Sequence, residues 1–161
     1  MTRELIGFLM ILLVLVAANL IWFKVVRRKR SQEKLIPPFR TPKQGPGLAA
    51  LYVATVFADR PLDRVWAHGI GIRGRAFLGI DEAGVSVLRK GETSFLIPLS
   101  AITESKKSSA TIDKGVESDG LDVIAWSHNG IALETSFRLS DQQVRQEFHD
   151  KLHKMIGATL G

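Results

Sequence analysis

The hydrophobic pattern of this chain opens with an unbroken apolar run from Leu5 to Phe23. The run contains no charged residue, and Asn19 is its most polar side chain. As a helix it would be about 28 Å long at 1.5 Å per residue, close to the roughly 30 Å hydrocarbon core of a bilayer. A helix in a soluble core would show polar residues at every turn. The run therefore predicts one transmembrane helix.

Basic side chains flank this run unequally. Arg3 precedes it beside Glu4, whereas a basic cluster follows it directly: Lys24, Arg27, Arg28, Lys29 and Arg30. Basic residues next to a span stay on the cytoplasmic side. We therefore expect a single-pass protein of the cell (inner) membrane, with its N-terminus outside and its C-terminal domain in the cytoplasm. A cleaved secretory signal is the alternative, but its apolar segment usually has only about 7–15 residues.

A second change of pattern divides the remaining chain. Residues 1–30 form the predicted anchor with its basic cluster. Residues 31–47 are rich in proline and glycine, which favours a semi-rigid linker over a helix or a central strand. One domain is then predicted over residues 48–157, a common domain size, and residues 158–161 form a tail.

Within the domain, apolar residues first alternate with a period of two, which predicts β-strands. Asn129-Gly130 is the strongest hairpin signal among the turns. Residues 103–119 are polar and leave a strand or a loop open. The predicted strands cover 51–57, 75–80, 84–89, 93–99, 121–126 and 131–139.

The last element has a helical period. Ser140 is a candidate N-cap, Gln143 completes a capping box, and Gly157 is expected to end the helix. One apolar stripe contains Val144, Phe148, Leu152 and Ile156. The predicted fold is α+β: an N-terminal transmembrane helix, then a mainly antiparallel open barrel or bent sheet with a C-terminal capping helix.

The net charge of +6 is concentrated near the apolar run. Residues 1–30 hold six basic side chains and one acidic one, so residues 31–161 are nearly neutral. A nucleic-acid binder would show its basic excess on the folded domain, and we expect no nucleic-acid partner. The cluster instead predicts contact with the lipid bilayer, whose anionic headgroups attract Lys and Arg.

Most of the predicted domain resembles a known family. The matching stretches are TVFADRPLDRVWAHGIGIRGRAFLGIDEAGVSVLRKG, FLIPLSAI and GLDVIAWSHNGIALETSFRLS. They are similar to actinobacterial single-pass membrane proteins that carry a bacterial pleckstrin-homology-like (PH-like) domain. The resemblance implies a PH-like fold behind a membrane anchor. Some members are labelled transporters, but one span without intramembrane charge offers no translocation path.

In lipid-binding PH domains, basic residues at the open end of the barrel bind phosphate groups, as the resemblance implies. The corresponding candidates for headgroup or partner binding are Arg60, Arg64, Arg73, Arg75, Arg89 and Lys90. Acidic residues, among them Asp59 and Asp63, interleave with them and nearly cancel their charge. We therefore expect a non-catalytic adaptor that binds a protein partner, with a sensor of anionic lipid headgroups as the alternative.

Three sequence patterns suggest chemistry but lack its context. His149 and His153 share a spacing used by zinc proteases, yet no third ligand follows. Gly69, Gly71 and Gly74 form G-x-G-x-x-G ahead of a strand rather than a helix, which favours a bend over nucleotide binding. Ser127-His128 lies at a predicted turn. We therefore predict no catalytic residue, no metal site and no cofactor.

Overall fold

A computed structural model describes residues 2–43, 45, 47–108, 120–139 and 141–160. Its first element, α1, runs over Thr2–Leu35. The strands that follow are β1 Leu48–Phe57, β2 Arg60–Arg64, β3 Gly74–Asp81, β4 Gly84–Arg89, β5 Phe95–Pro98, β6 Ile102–Ser108, β7 Leu121–His128 and β8 Ile131–Leu139. A final helix, α2, covers Gln142–Leu160.

All strand pairings are antiparallel, and the strands form one nearly closed, barrel-like sheet. Its order is β5-β4-β3-β1-β8-β7-β6, with β2 paired to β1. The two edge strands, β5 and β6, are consecutive along the chain and are joined by the short 3-10 turn Leu99–Ala101. The chain therefore passes from one edge of the sheet to the other through this turn. Helix α2 packs against the turn, β6 and β8. The predicted α+β fold, a bent antiparallel sheet with a C-terminal helix, is confirmed.

The apolar stripe of α2 lies on the core as predicted. Phe148 and Leu152 are fully buried, and Val144 and Ile156 pack against the same cluster. The predicted N-cap, Ser140, lies outside the described residues. Asp141 caps the helix among the described residues, because its Oδ1 accepts hydrogen bonds from the backbone N–H groups of Gln143 and Val144 at 2.7 and 3.3 Å.

The structure differs from the predicted elements near the end of α2, at β2 and at β6. Gly157 does not end α2, which continues to Leu160. Its surroundings are open, and a glycine with no neighbour to accommodate is tolerated inside a helix at a modest cost. Strand β2 was not predicted, because Pro61 and the charged residues around it lack the pattern of a strand. In the polar stretch whose structure the sequence left open, residues up to Ser108 form β6. Residues 109–119 of that stretch lie outside the described residues.

The N-terminal helix also extends further than the sequence pattern predicted. It continues past Arg30 to Leu35, through the first part of the predicted linker. Ile36 and Pro42, which follow it, are buried, and Phe39 packs against the core. The division of the chain into anchor, linker and domain stays a prediction, but residues 36–42 contact the domain rather than leading freely to it.

A chain of hydrogen bonds crosses the barrel interior. Trp126 Nε1 donates to Thr135 Oγ1 (2.9 Å), which lies 2.9 Å from Thr55 Oγ1, which lies 2.7 Å from the Tyr52 hydroxyl. Tyr52 in turn donates to the Ile70 carbonyl oxygen. An indole can only donate and a carbonyl can only accept, so the direction of every bond in the chain is fixed. Each buried hydroxyl therefore has both a donor and an acceptor.

Candidate interaction surfaces

The C-terminal part of α1 is fixed to the domain by polar contacts. Gln32 is buried, and its Oε1 accepts hydrogen bonds from the backbone N–H groups of Trp66 (2.6 Å) and Ala67 (3.2 Å). Its Nε2 donates to the Arg64 carbonyl oxygen at 3.3 Å. One side chain thus satisfies one backbone group at the end of β2 and two in the segment that follows it. The domain is consequently held at the end of the helix in one orientation.

Aromatic rings close the end of the barrel nearest to α1. Phe39 lies with its ring centroid 4.5–5.7 Å from those of His68, Phe95, Trp126 and His128. His68 Nε2 is 2.8 Å from the Ile36 carbonyl oxygen, and His128 Nε2 is 2.9 Å from that of Pro37. The predicted linker therefore fills this end of the barrel. His128 participates in this closure, and nothing in the contacts supports its pairing with Ser127 as a hydrolase site.

The basic cluster lies on the exposed part of α1. Lys24, Arg27 and Arg30 are exposed, and Lys29 pairs with Glu33 at 3.8 Å. Arg28 forms an ion pair with Asp63 of β2. The cluster therefore has one member, Arg28, that contacts the domain, and its other four members are exposed.

The structure places the predicted domain cations in different environments. Arg60 is exposed and lies between Asp59 and Asp63, 3.3 Å from each. Arg64 is half-buried and donates to the Gly71 carbonyl oxygen at 3.4 Å. Three further cations are exposed: Arg73, Arg75 and Lys90. The predicted set is therefore not one patch.

The position of Arg89 corrects the prediction that it binds a headgroup or partner, because Arg89 lies in the interior of the domain. Only 5% of it is exposed. Its guanidinium donates to the carbonyl oxygens of Gly69 and Ile72 and lies 4.2 Å from the centroid of the Tyr52 ring. This arginine stabilises the loop between β2 and β3 and is not available to a headgroup. A charge in sequence does not reveal such an internal role, since an arginine can be buried when carbonyl groups surround it.

The three glycines of the G-x-G-x-x-G pattern shape this same loop. Gly69 has a φ of +76°, which favours glycine, and a Cβ on Gly71 would lie 2.8 Å from the Val65 carbonyl oxygen. Gly74 begins β3. The glycines thus allow a bend and a close approach of two backbone segments, as the sequence context predicted, rather than nucleotide binding.

An exposed apolar patch on the outer face of the sheet was not predicted. Phe77 is 51% exposed, although the neighbours on either side of it, Ala76 and Leu78, are buried. It pairs across the strands with Ala49 of β1 and Leu88 of β4. We call Ala49, Phe77 and Leu88, with Leu51 beside them, the Phe77 patch. The period-two alternation of β3 was the signal that could have found it, because alternate residues face opposite sides of a sheet.

Basic side chains border the Phe77 patch. Arg75 lies two residues before Phe77 on β3 and pairs with Leu51, so it shares the outer face. Lys90 follows Arg89, the last residue of β4, which pairs with Ala76 next to Arg75. Both are exposed. An apolar centre beside cations is the composition of a protein-binding surface, where arginine is enriched at the contact.

A buried polar cluster ties α2 to the sheet. Ser105 Oγ is 2.8 Å from His149 Nδ1, and His149 Nε2 is 2.8 Å from Asp122 Oδ1. Asp122 Oδ2 also lies 3.4 Å from the Leu139 backbone N–H nitrogen and from Arg145 Nε. Because Asp122 is fully buried, it needs these donors. The neutral ring can donate from Nε2 to Asp122 and accept the Ser105 hydroxyl at Nδ1.

This cluster has the residue types of a hydrolytic triad, but its side chains are buried and connect α2 to the sheet. Ser105 of β6 and His149 of α2 are only 8% and 5% exposed, at the contact between the helix and the sheet. His153, the other histidine of the zinc-protease spacing, is exposed, so the two histidines lie in different environments. Among the described residues, no group of three or more His, Cys, Asp or Glu side chains could hold a metal ion. Sequence reasoning missed the cluster because its members lie on three distant elements.

Two side chains of the domain, Tyr52 and Lys106, have raised pKa values. Burial raises the pKa of the Tyr52 phenol well above its ordinary value of about 10. A hydrogen bond from Lys106 Nζ to Glu134, 2.7 Å long, raises the pKa of Lys106. Lys106 therefore stays charged, and Tyr52 stays neutral as the donor at the end of its hydrogen-bond chain.

A family model described as bacterial PH domain-like matches residues 35–153. The chain belongs to the bacterial PH domain-like family. The match begins at Leu35, directly before the buried Ile36, so the PH-like domain includes residues that the sequence pattern assigned to the linker. No curated protein matches the chain. A PH-like domain is typically a non-catalytic binding module for proteins or lipids.

The PH-like domain follows a helix that is long and apolar enough to cross a membrane. Over Arg3–Leu35 the helix contains a window with a mean hydropathy of 2.7 and no buried residue. By length and composition a signal sequence near the N-terminus would meet the same description. Membrane attachment and orientation therefore belong to the proposal below.

Proposed function

We propose that this protein is a non-catalytic adaptor, held by α1 at the cytoplasmic face of a membrane, whose PH-like domain binds a protein partner. The apolar helix supports the membrane attachment, and the basic cluster that follows it supports the orientation. Since Gln32 and Ile36 contact the domain, the helix would present the domain in a fixed orientation. Burial of the Ser105–His149–Asp122 cluster supports the non-catalytic interpretation.

The Phe77 patch is the observation that carries the proposal of a protein partner. A phenylalanine half exposed in the middle of a sheet face leaves apolar surface in contact with water, which costs free energy until another surface covers it. Arg75 and Lys90 would supply charge complementarity to acidic groups of the partner. This surface lies on β1, β3 and β4, and Phe77 at its centre stays half exposed in the folded domain.

Photo-crosslinking in living cells tests the proposal. A photoreactive phenylalanine analogue at Phe77 should produce one defined crosslinked protein, and Arg75→Glu should weaken that crosslink. The same analogue at Glu82, an exposed turn residue between β3 and β4, is the matched control and should not produce it. Equal crosslinking from both positions, or none from Phe77, would contradict the proposal.

Anionic lipid headgroups are the second candidate for the domain's ligand. The exposed cations Arg73, Arg75 and Lys90 favour it, whereas the interior position of Arg89 removes one member of the predicted set. If lipid is the ligand, Arg75→Glu should alter domain contact with vesicles containing phosphatidylglycerol but leave the Phe77 crosslink absent. A protein crosslink that is insensitive to lipid composition favours the adaptor.

A further inference from the structure

Strand β3 extends beyond its neighbour β1. The last pair between the two strands joins Leu48 to Leu78, whereas β3 continues to Asp81, where it is paired with β4 alone. On the side of β1, no described strand pairs with the backbone of residues 79–81. A stretch of strand that lacks a neighbour offers its N–H and C=O groups to an added strand.

A pocket of about 380 Å³ opens beside this stretch, between the ends of β1 and β3 and the helix α2. Its size falls within the roughly 300–1,000 Å³ of ligand pockets. Leu48 is 37% exposed there, although Leu78, which pairs with it, is fully buried. The pocket therefore leaves apolar surface that a side chain of another molecule can cover. The apolar part of its lining consists of Leu48, Leu78, Ile80 and Phe148.

Two charged side chains of α2 border the pocket. Glu147 and Lys151 lie on one side of the helix, one turn apart. Glu147 accepts a hydrogen bond from Gln143 Nε2 at 3.2 Å, whereas no ion pair joins Lys151 to another described side chain. The ammonium group of Lys151 is therefore the charge that remains available to a ligand, and it favours an acidic one.

We propose that this β3–α2 pocket binds an extended peptide of a partner protein, which adds a short strand to β3 at residues 79–81. One apolar side chain of the peptide enters the pocket beside Leu48 and Phe148. An acidic side chain on the same face of the added strand, two residues away, meets Lys151. In strand addition the main-chain hydrogen bonds supply affinity, and pockets for alternate side chains supply specificity.

The β3–α2 pocket is separate from the Phe77 patch. Leu48 and Leu78 form one cross-strand pair, and Ala49 and Phe77 form the next. Because alternate residues of a strand face opposite sides of the sheet, the two pairs lie on opposite faces. A peptide can therefore occupy the pocket whether or not a partner covers the Phe77 patch, and the two surfaces can be tested separately.

Selection from a phage-displayed library of random peptides, panned against the full chain in lipid nanodiscs, tests this inference. We expect the selected peptides to share an apolar and an acidic residue separated by one position. Leu48→Asp should abolish their binding, and Lys151→Glu should weaken it several-fold. Lys154→Glu changes an exposed residue of α2 outside the pocket lining, so it is the matched control and should bind normally. A peptide with lysine in place of its acidic residue should regain binding to Lys151→Glu.

Amide hydrogen exchange tests the strand pairing. A bound peptide should slow exchange over residues 79–81, because their free backbone groups become paired. The absence of a shared motif, equal binding by Lys151→Glu and Lys154→Glu, or unchanged exchange over residues 79–81 would each overturn the inference. None of these results would alter the expected crosslink at Phe77, so the pocket and the Phe77 patch can fail independently.

Discussion

At the scale of single residues, the interior of the barrel depends on a few polar side chains with complete hydrogen bonding. Tyr52 shows this most clearly, because it is fully buried, donates to the Ile70 carbonyl oxygen and lies beneath the Arg89 guanidinium. A buried hydroxyl without partners would cost roughly 1–3 kcal/mol. The same contacts explain why Arg89, a surface candidate in sequence, belongs to the interior.

Tyr52 is the only tyrosine, so its ionisation can be followed directly. Burial raises its pKa in the folded state, so the folded protein should show no tyrosinate absorbance as the pH passes 10. The unfolded chain, whose tyrosine has its ordinary pKa, releases the proton first. Folding stability should therefore be complete below about pH 10 and decline above it.

Absorbance near 295 nm, measured on the native protein and in denaturant, checks this expectation. The denatured sample should titrate at the ordinary pKa and serves as the control. A native protein that titrates at the same pH as the denatured one would show that Tyr52 is exposed.

At the scale of elements, α2 stabilises the sheet through its apolar stripe. Phe148 is 1% exposed, and truncating a buried phenylalanine costs roughly 3–5 kcal/mol. Domains are stabilised by only about 5–15 kcal/mol. Phe148→Ala should therefore lower the thermal midpoint strongly, whereas Lys154→Ala, an exposed position on the same helix, should change it little. Equal midpoints for both variants would mean that α2 is not part of the core.

The junction between α1 and the domain depends on Gln32. Gln32→Ala removes the acceptor for the Trp66 and Ala67 backbone N–H groups and should cost about 1–3 kcal/mol. Amide hydrogen exchange at those two residues should accelerate, while Ser31→Ala, an exposed neighbour, should leave it unchanged. Unchanged exchange in Gln32→Ala would show that the helix is not fixed to the domain by this residue.

The sequence predicted those elements whose pattern is local. The apolar stripe of α2 and the alternation of most strands need only neighbouring residues, and both are confirmed. The helical part of the supposed linker was missed, because Ser31–Leu35 is polar and gains its support from a distant partner, the segment after β2. The Ser105–His149–Asp122 cluster was missed for the same reason, since strand pairing and helix docking bring its members together.

At the scale of the whole molecule, the continuous connection between α1 and the PH-like domain changes how the protein should be studied. A fragment that begins at residue 45 would lack Ile36 and Phe39, which pack on the domain, and would open the end of the barrel. The full chain in lipid is therefore the form in which binding should be measured. In that form we expect the basic cluster and the Phe77 patch to lie on one side of the membrane.

The central claim is that α1 holds the PH-like domain at the cytoplasmic face, and the sidedness of one cysteine tests it most directly. Glu82→Cys places the only thiol of the chain on an exposed turn of the domain. We predict that a membrane-impermeant thiol reagent labels it in inside-out vesicles, and in right-side-out vesicles only after detergent is added. Equal labelling of intact right-side-out vesicles, or recovery of the protein in the soluble fraction with its helix removed, would contradict the claim.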